Sequence, residues 1–85
     1  MIEKKEILDT INNILKTEGA IWHNEEINYE TTIGEFGNIG IDSLDYWDLI
    51  LTLEQKYDIS IPDEDVYKFK TVNDIIDFIY KEKQG

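Results

Sequence analysis

The chain has 85 residues, a formal net charge of −11 from 19 acidic and 8 basic side chains, and no cysteine. A chain this short is expected to form one small domain, residues 1–85, with little room for a preorganised catalytic cleft. The lack of cysteine excludes disulfides, thiolate metal sites and a cysteine nucleophile, and the acidic balance argues against nucleic acid as a partner.

Residues 2–16 predict an amphipathic helix. Its apolar positions recur at helical spacing, and lysines and carboxylates occupy the opposite face. The predicted core face comprises Ile7, Leu8, Ile11, Ile14 and Leu15. The charges among these positions argue against a signal peptide and a membrane span, so we expect a core helix without chemistry in a cytoplasmic protein.

The stretch 17–39 has no helical period and is interrupted by glycines and threonines, which predicts a long ordered loop. A loop of this length in a compact domain needs apolar anchors of its own. The candidate anchors are Ile21, Trp22, Ile27, Ile33, Phe36 and Ile39. The single histidine, His23, has no partners at metal-binding or catalytic spacing, so we expect it to have a packing role.

Residues 43–57 predict the helix around which the chain is organised. Asp42 can cap its first turn, Asp45 can complete a capping box, and Ser43 then falls at the first helical position. A hydroxyl there lies at the positive end of the helix dipole, where free N–H groups would stabilise a covalently attached phosphate. The sequence shows no base beside Ser43, so any modification of Ser43 would require a separate enzyme.

This helix is predicted to carry two apolar faces, where an ordinary surface helix has one. The core face comprises Tyr46, Leu49, Ile50, Leu53 and Tyr57. The second apolar stripe comprises Leu44, Trp47 and Leu51. The carboxylates that surround the stripe are Asp42, Asp45, Asp48 and Glu54. Because residues 42–67 contain eight acids and only one lysine, we expect the stripe to dock basic protein surfaces, although such charge also serves solubility alone.

Two further helices are predicted after residue 57. Pro62 lies at the first turn of a short helix, and three acids follow it. Thr71 and Asp74 form a capping pair before a last helix. The buried stripe of that last helix is Val72, Ile75, Ile76 and Ile79. The sequence therefore predicts an all-α fold, a small four-helix bundle of three longer helices and one short helix with a long first loop.

The run Gly-Ile-Asp-Ser-Leu-Asp at 40–45 and the run from Leu53 to Glu64 resemble the acyl carrier protein family, and the similarity extends to about Ile79. In that family the serine carries 4′-phosphopantetheine, so the resemblance implies this role for Ser43. A phosphopantetheinyl transferase would attach the arm from coenzyme A with the help of a divalent metal. The arm would then hold acyl groups as thioesters.

The resemblance further implies a monomeric carrier that supplies position rather than catalysis. Its partners would be acyl-loading, condensing or tailoring enzymes with basic docking surfaces, in fatty acid synthesis or in more specialised synthesis of polyketide or nonribosomal type. The resemblance also implies that an acyl chain can slip between the helices. The residues that would line the acyl chain are Leu53, Ile61, Val66 and Phe69, although core packing alone explains these residues.

Trp47 departs from the family, in which a smaller aliphatic residue is usual. A large aromatic residue here is either a binding anchor or a side chain that folds onto the 17–39 loop, and the sequence leaves both open. In either case the docking surface differs from that of a routine fatty acid carrier, which favours a specialised pathway. Two rival functions also stay open: a carrier-like adaptor that is never modified, and a small acidic regulator.

Overall fold

The structure is a computed structural model that describes residues 2–17, 27–39 and 43–84. In these three segments the helices are α1 (Lys4–Thr17), α2 (Ser43–Tyr57), α3 (Asp63–Lys68) and α4 (Val72–Gln84), with a 3₁₀ helix (Ile33–Ile39) before α2. The prediction of an all-α bundle with three longer helices and one short one is confirmed. Pro62 lies at the N-cap of α3, one residue before the first turn in which it was expected.

The core forms where α1 packs against both α2 and α4. The apolar stripes predicted for the three helices supply most of it. The side chains that are entirely buried are Ile7, Ile11, Leu53, Val72, Ile75, Ile76 and Ile79. Burying one such side chain contributes roughly 1.5–3 kcal/mol, so these stripes provide most of the driving force for folding. Leu8, Tyr46 and Tyr57, predicted on the core faces, are only partly buried at its edge.

Within the predicted ordered loop of residues 17–39, residues 33–39 form a 3₁₀ helix, which the sequence analysis did not predict. The signal that was missed is a capping box. The backbone N–H and the hydroxyl of Thr32 donate to Glu35 Oε1 over 3.2 and 2.9 Å, and the Glu35 N–H donates to Thr32 Oγ1 over 3.2 Å. These reciprocal bonds satisfy N–H groups that the first turn would otherwise leave unpaired.

The expected anchors of this segment are confirmed in its described part. Ile27 and Phe36 are each only 2% exposed, and Ile33 is half-buried against the core. Ile21, Trp22 and His23 lie outside the described residues, as does the side chain of Ile39. The segment therefore packs on its own apolar side chains, as a long connection in a small domain must.

The buried side chain of Asn12 fixes the start of this segment to α1. Its Nδ2 donates to the carbonyl oxygen of Ile27 over 2.9 Å, and its Oδ1 accepts from the Ile27 N–H over 2.8 Å. Because the Asn12 side chain pairs with both the N–H and the carbonyl of Ile27, neither of these buried backbone groups lacks a partner. We predicted no chemistry for α1, and the position of Asn12 beside the apolar stripe did not indicate this distant contact.

The segment is also hydrogen-bonded to the connection between α3 and α4. The N–H of Ile33 donates to the Lys70 carbonyl over 2.8 Å, and the N–H of Val72 donates to the Thr31 carbonyl over 2.9 Å. An isolated antiparallel bridge joins Thr32 to Thr71 between these two bonds. The end of α3 is thereby held beside the segment that leads to α2.

The predicted capping pair at the start of α4 is confirmed. The Thr71 N–H donates to Asp74 Oδ2 over 3.1 Å, and the Asp74 N–H donates to Thr71 Oγ1 over 3.2 Å. Asp74 Oδ2 accepts a second backbone hydrogen bond from Lys70 over 2.9 Å. The N–H groups of Lys70 and Thr71 stabilise the carboxylate and lower the pKa of Asp74.

Candidate functional site

Ser43 is the first residue of α2, and its side chain is exposed. The first four N–H groups of an α-helix have no partner within the helix, and together with the helix dipole they attract negative charge. A phosphodiester on Ser43 Oγ would therefore lie at the positive end of a helix of 15 residues, in open solvent. The residues present thus fit a covalently attached phosphopantetheine arm. Asp42, the predicted cap, lies outside the described residues.

Helix α2 has the two apolar faces that its sequence predicts. Leu49, Ile50 and Leu53 on the core face are each at most 1% exposed. On the second stripe, Leu44 is 75% exposed and Leu51 is 53% exposed. Exposed leucines of this size add little to folding, so the stripe presents an apolar surface beside Ser43.

Trp47, between these two leucines, is half-buried, and its role as a binding anchor stays a prediction. Its ring lies 6.3 Å from the Tyr46 ring and 5.6 Å from the Tyr67 ring of α3, measured between centroids. Both contacts are edge-to-face, the arrangement that aromatic pairs prefer. Trp47 therefore spans the space between α2 and α3 and keeps part of its surface in solvent.

Tyr46 ties α2 to α3. Its hydroxyl donates a hydrogen bond to the carbonyl oxygen of Val66 over 3.2 Å. Burial raises the pKa of Tyr46 from the ordinary value of 10.0 to about 12, so the hydroxyl keeps its proton and stays a donor into the alkaline range. The distance between the two helices beside the predicted docking surface is thus fixed by a polar bond as well as by packing.

The carboxylates around the stripe differ in their surroundings. Asp48 is exposed, and Asp45 is half-buried. Glu54 is also half-buried: its Oε2 accepts the Ile61 N–H over 2.8 Å, and its backbone carbonyl accepts the Ile59 N–H over 3.0 Å. Glu54 therefore organises the turn after α2, and its role in docking stays a prediction.

That turn ends α2 with a residue in the left-handed conformation. Asp58 has a φ of 54°, which a non-glycine residue adopts rarely and aspartate more readily than most. Lys83 Nζ on α4 donates to the Tyr57 carbonyl over 2.9 Å and so satisfies a group at the end of α2. These contacts set the direction in which the chain runs from α2 to α3.

The four residues predicted to line an acyl chain lie in or against one hydrophobic cluster. Leu53, Ile61 and Val66 are at most 4% exposed, and the ring of Phe69 lies 5.9 Å from that of Phe78. The structure brings these residues together, and core packing accounts for each of them. Their contact with an acyl chain stays a prediction.

The surface around α2 and α3 is strongly acidic. Residues 43–69 contain two lysines, Lys56 and Lys68, against a larger set of carboxylates. The acids are Asp45, Asp48, Glu54, Asp58, Asp63, Glu64 and Asp65.

Within the described segments, no group of three or more histidine, aspartate or glutamate side chains could hold a metal ion. None of the helices described is long and apolar enough to cross a membrane.

Sequence reasoning missed Tyr67. It is 77% exposed on α3, directly after the buried Val66 in sequence, and it contacts Trp47. The sequence places an aromatic residue among charges in a helix of only six residues, which gave no periodicity from which to predict its neighbour. The pairing of Trp47 with Tyr67 depends on how α3 lies against α2.

Comparisons with known proteins give consistent matches. A family model described as "phosphopantetheine attachment site" matches residues 6–79. An acyl carrier protein of Clostridium perfringens (strain SM101) is 36% identical over 73 residues, which cover 86% of this chain and 92% of the relative. An acyl carrier protein of Syntrophobacter fumaroxidans is 46% identical over 46 residues, 54% of this chain and 57% of that one.

The likeness extends to a solved structure. The crystal structure of an acyl carrier protein from Thermotoga maritima superposes with a TM-score of 0.80 at 28% sequence identity. The superposition covers 98% of this chain and 93% of the other.

Proposed function

This chain belongs to the acyl carrier protein family, and we propose that Ser43 is the residue that carries its 4′-phosphopantetheine. Covalently attached 4′-phosphopantetheine is the prosthetic group that this membership implies. The observation that carries the assignment to Ser43 is an exposed hydroxyl on the first residue of α2, beside an exposed leucine. When attached, the group supplies a terminal thiol that can hold an acyl chain as a thioester.

The chain's own residues contribute position and charge. The N–H groups of the first turn of α2 stabilise a phosphodiester at Ser43, and the rigid contact of α2 with the core fixes where that phosphodiester begins. Members of this family carry intermediates and do not transform them. Tethering raises the effective concentration of an intermediate at the active site of each enzyme that docks.

A transferase and the enzymes of a biosynthetic pathway are the partners that the family implies. We propose that they dock on the stripe of Leu44, Trp47 and Leu51, and that carboxylates around it steer them. The proposed carboxylates are Asp42, Asp45, Asp48 and Glu54. The exposure of Leu44 and Leu51 supports this surface, and a small apolar patch with a charged rim suits partners that must exchange quickly.

The pathway that we propose is fatty acid synthesis or a more specialised synthesis of polyketide or nonribosomal type. The contact of Trp47 with Tyr67 favours the specialised alternative, because it gives the docking surface an aromatic character. Identification of the acyl group released from protein purified from its native cell would decide between them.

The test of the carrier role is intact-mass measurement. The chain is incubated with coenzyme A, Mg²⁺ and a broad-specificity phosphopantetheinyl transferase, and we expect the mass to increase by one phosphopantetheinyl group. An unmodified adaptor and an acidic regulator both predict an unchanged mass. An unchanged mass with a transferase that modifies another carrier protein in the same tube would contradict the proposal.

A further inference from the structure

Four aromatic rings form a row from the core to the surface of α3. The centroids of Phe36 and Tyr46 are 6.0 Å apart, those of Tyr46 and Trp47 are 6.3 Å apart, and those of Trp47 and Tyr67 are 5.6 Å apart. The first ring is 2% exposed and the last is 77% exposed. Successive ring contacts therefore connect the largely exposed ring of Tyr67 to the buried ring of Phe36.

Stability does not explain why residue 67 is a tyrosine. With 77% of its surface in solvent, the Tyr67 side chain buries little apolar area, and its neighbour Val66 supplies the buried contact of α3. Exposed tyrosine and tryptophan side chains are enriched among the residues that dominate protein interfaces. Tyr67 is thus better explained by a bound partner than by the fold.

Tyr67 extends the apolar stripe of α2 onto α3. Leu44 and Leu51 lie three residues before and four residues after Trp47, so all three share one side of α2. Trp47 contacts Tyr67 across the gap between the helices. We call the surface formed by Leu44, Trp47, Leu51 and Tyr67 the aromatic patch.

Carboxylates lie beside the aromatic patch. Asp63 and Glu64 precede Tyr67 by four and three residues on α3, which places them next to it along the helix surface, and both are exposed. Asp48 is exposed next to Trp47. The ion pairs resolved between described residues, Lys4 with Asp77 and Lys5 with Asp9, both involve α1 and none of these acids.

We propose that the aromatic patch seats an arginine side chain of a basic partner protein, with the guanidinium over the ring of Tyr67 and within reach of Glu64 or Asp63. A guanidinium is planar, so it can stack on an aromatic face and pair with a carboxylate at the same time. A lysine ammonium is more strongly hydrated and lacks this planar fork. If Ser43 carries the arm as proposed above, a partner that approaches it meets this patch, so Tyr67 selects for arginine among basic partners.

The test uses the full chain as purified, before any treatment with a transferase, and two synthetic peptides of equal length and charge. One peptide carries three arginines, and the other carries three lysines at the same positions. Binding is followed by NMR through the Trp indole N–H signals, with Trp22→Phe used to assign the signal of Trp47. We expect the arginine peptide to bind about threefold more tightly and to shift the Trp47 signal.

Three variants make the test specific. Tyr67→Ser should abolish the preference for arginine, and Tyr67→Phe, which keeps the ring face, should retain it. Glu64→Gln should weaken binding of the arginine peptide more than Glu82→Gln, which removes the same charge from an exposed position on α4. Equal affinity for the two peptides, no binding of either, or a preference that survives in Tyr67→Ser would overturn the proposal.

The outcome is separable from that of the carrier proposal, because intact mass reports modification independently. A chain that gains the arm but shows no preference for arginine contradicts only the role of Tyr67. A chain that prefers arginine but never gains the arm contradicts only the assignment of Ser43.

Discussion

The hydroxyl of Tyr46 donates a hydrogen bond to the backbone carbonyl of Val66, and this bond of 3.2 Å joins α2 to α3. It lies next to the ring contact between Trp47 and Tyr67 that joins the same two helices at the surface. The spacing of α2 and α3, and with it the shape of the proposed docking surface, depends on both contacts.

Replacing Tyr46 by phenylalanine tests the polar half of this connection. Tyr46→Phe keeps the ring contacts with Phe36 and Trp47 but leaves the Val66 carbonyl without this donor. We expect the free energy of unfolding to fall by about 1 kcal/mol, measured by urea denaturation at pH 7. Tyr67→Phe is the control, because its exposed hydroxyl should contribute little, and an equal loss in both variants would contradict the role of the bond.

The difference in stability between the unsubstituted chain and Tyr46→Phe should also depend on pH. Burial raises the pKa of Tyr46 in the folded chain to about 12 from an ordinary value of 10.0, so above pH 10.0 the unfolded chain loses this proton first. The contribution of Tyr46 to stability is therefore complete below pH 10.0 and is lost as the pH rises towards 12. The stability advantage of the unsubstituted chain over Tyr46→Phe should shrink across this window, and a constant difference would refute the burial of the hydroxyl.

Asn12→Ala should be among the most damaging substitutions on α1 that leave its apolar stripe intact. It removes both hydrogen bonds to Ile27 and leaves a buried N–H and a buried carbonyl unpaired. We expect a loss of about 2 kcal/mol in the free energy of unfolding, measured by thermal or urea denaturation. Gln55→Ala, which truncates an exposed amide on α2, should change stability by less than about 0.5 kcal/mol.

Asp74→Asn tests whether the carboxylate charge of Asp74 strengthens the capping pair at the start of α4. Backbone N–H groups lower the pKa of Asp74, so its contribution is present above the unfolded value of 3.8 and is lost as the pH falls through the folded pKa. At pH 7 we expect the variant to be less stable by about 1 kcal/mol. The difference should close in acid, and a difference that persists unchanged at acid pH would contradict the role of the carboxylate. At pH 7, Glu82→Gln on the exposed end of α4 should change stability by less than about 0.5 kcal/mol.

Trp47→Ala tests the anchor role of the stripe. Because Trp47 is half-buried, we expect the variant to lose some stability. We expect the main effect to be on the rate at which a transferase modifies the chain, which should fall even where the variant is folded. The rates are compared at a temperature where circular dichroism shows both proteins fully folded. A folded variant that is modified at the normal rate would remove Trp47 from the docking surface.

The parts of the fold that could be predicted are those that local pattern determines. The two faces of α2 follow from residue spacing alone, and Thr71 with Asp74 is a capping pair within four residues of sequence. The capping box of Thr32 and Glu35 was equally local and was missed because the glycines around it indicated a loop.

The parts that could not be predicted depend on how distant segments meet. The bond between Asn12 and Ile27 joins residues 15 positions apart, and the contact of Trp47 with Tyr67 depends on the packing of α3 against α2. Residue spacing within one helix carries no information about either pair. The half-buried state of Trp47 follows from the second contact, which is why the sequence left its exposure open.

Modification of the two serine variants tests the central claim most directly. The chain contains two serines, Ser43 and Ser60, and both are exposed. After incubation with transferase, coenzyme A and Mg²⁺, intact mass spectrometry should show the added phosphopantetheinyl group on Ser60→Ala and none on Ser43→Ala. A folded Ser43→Ala protein that still gains the group, or a Ser60→Ala protein that never does, would contradict the account.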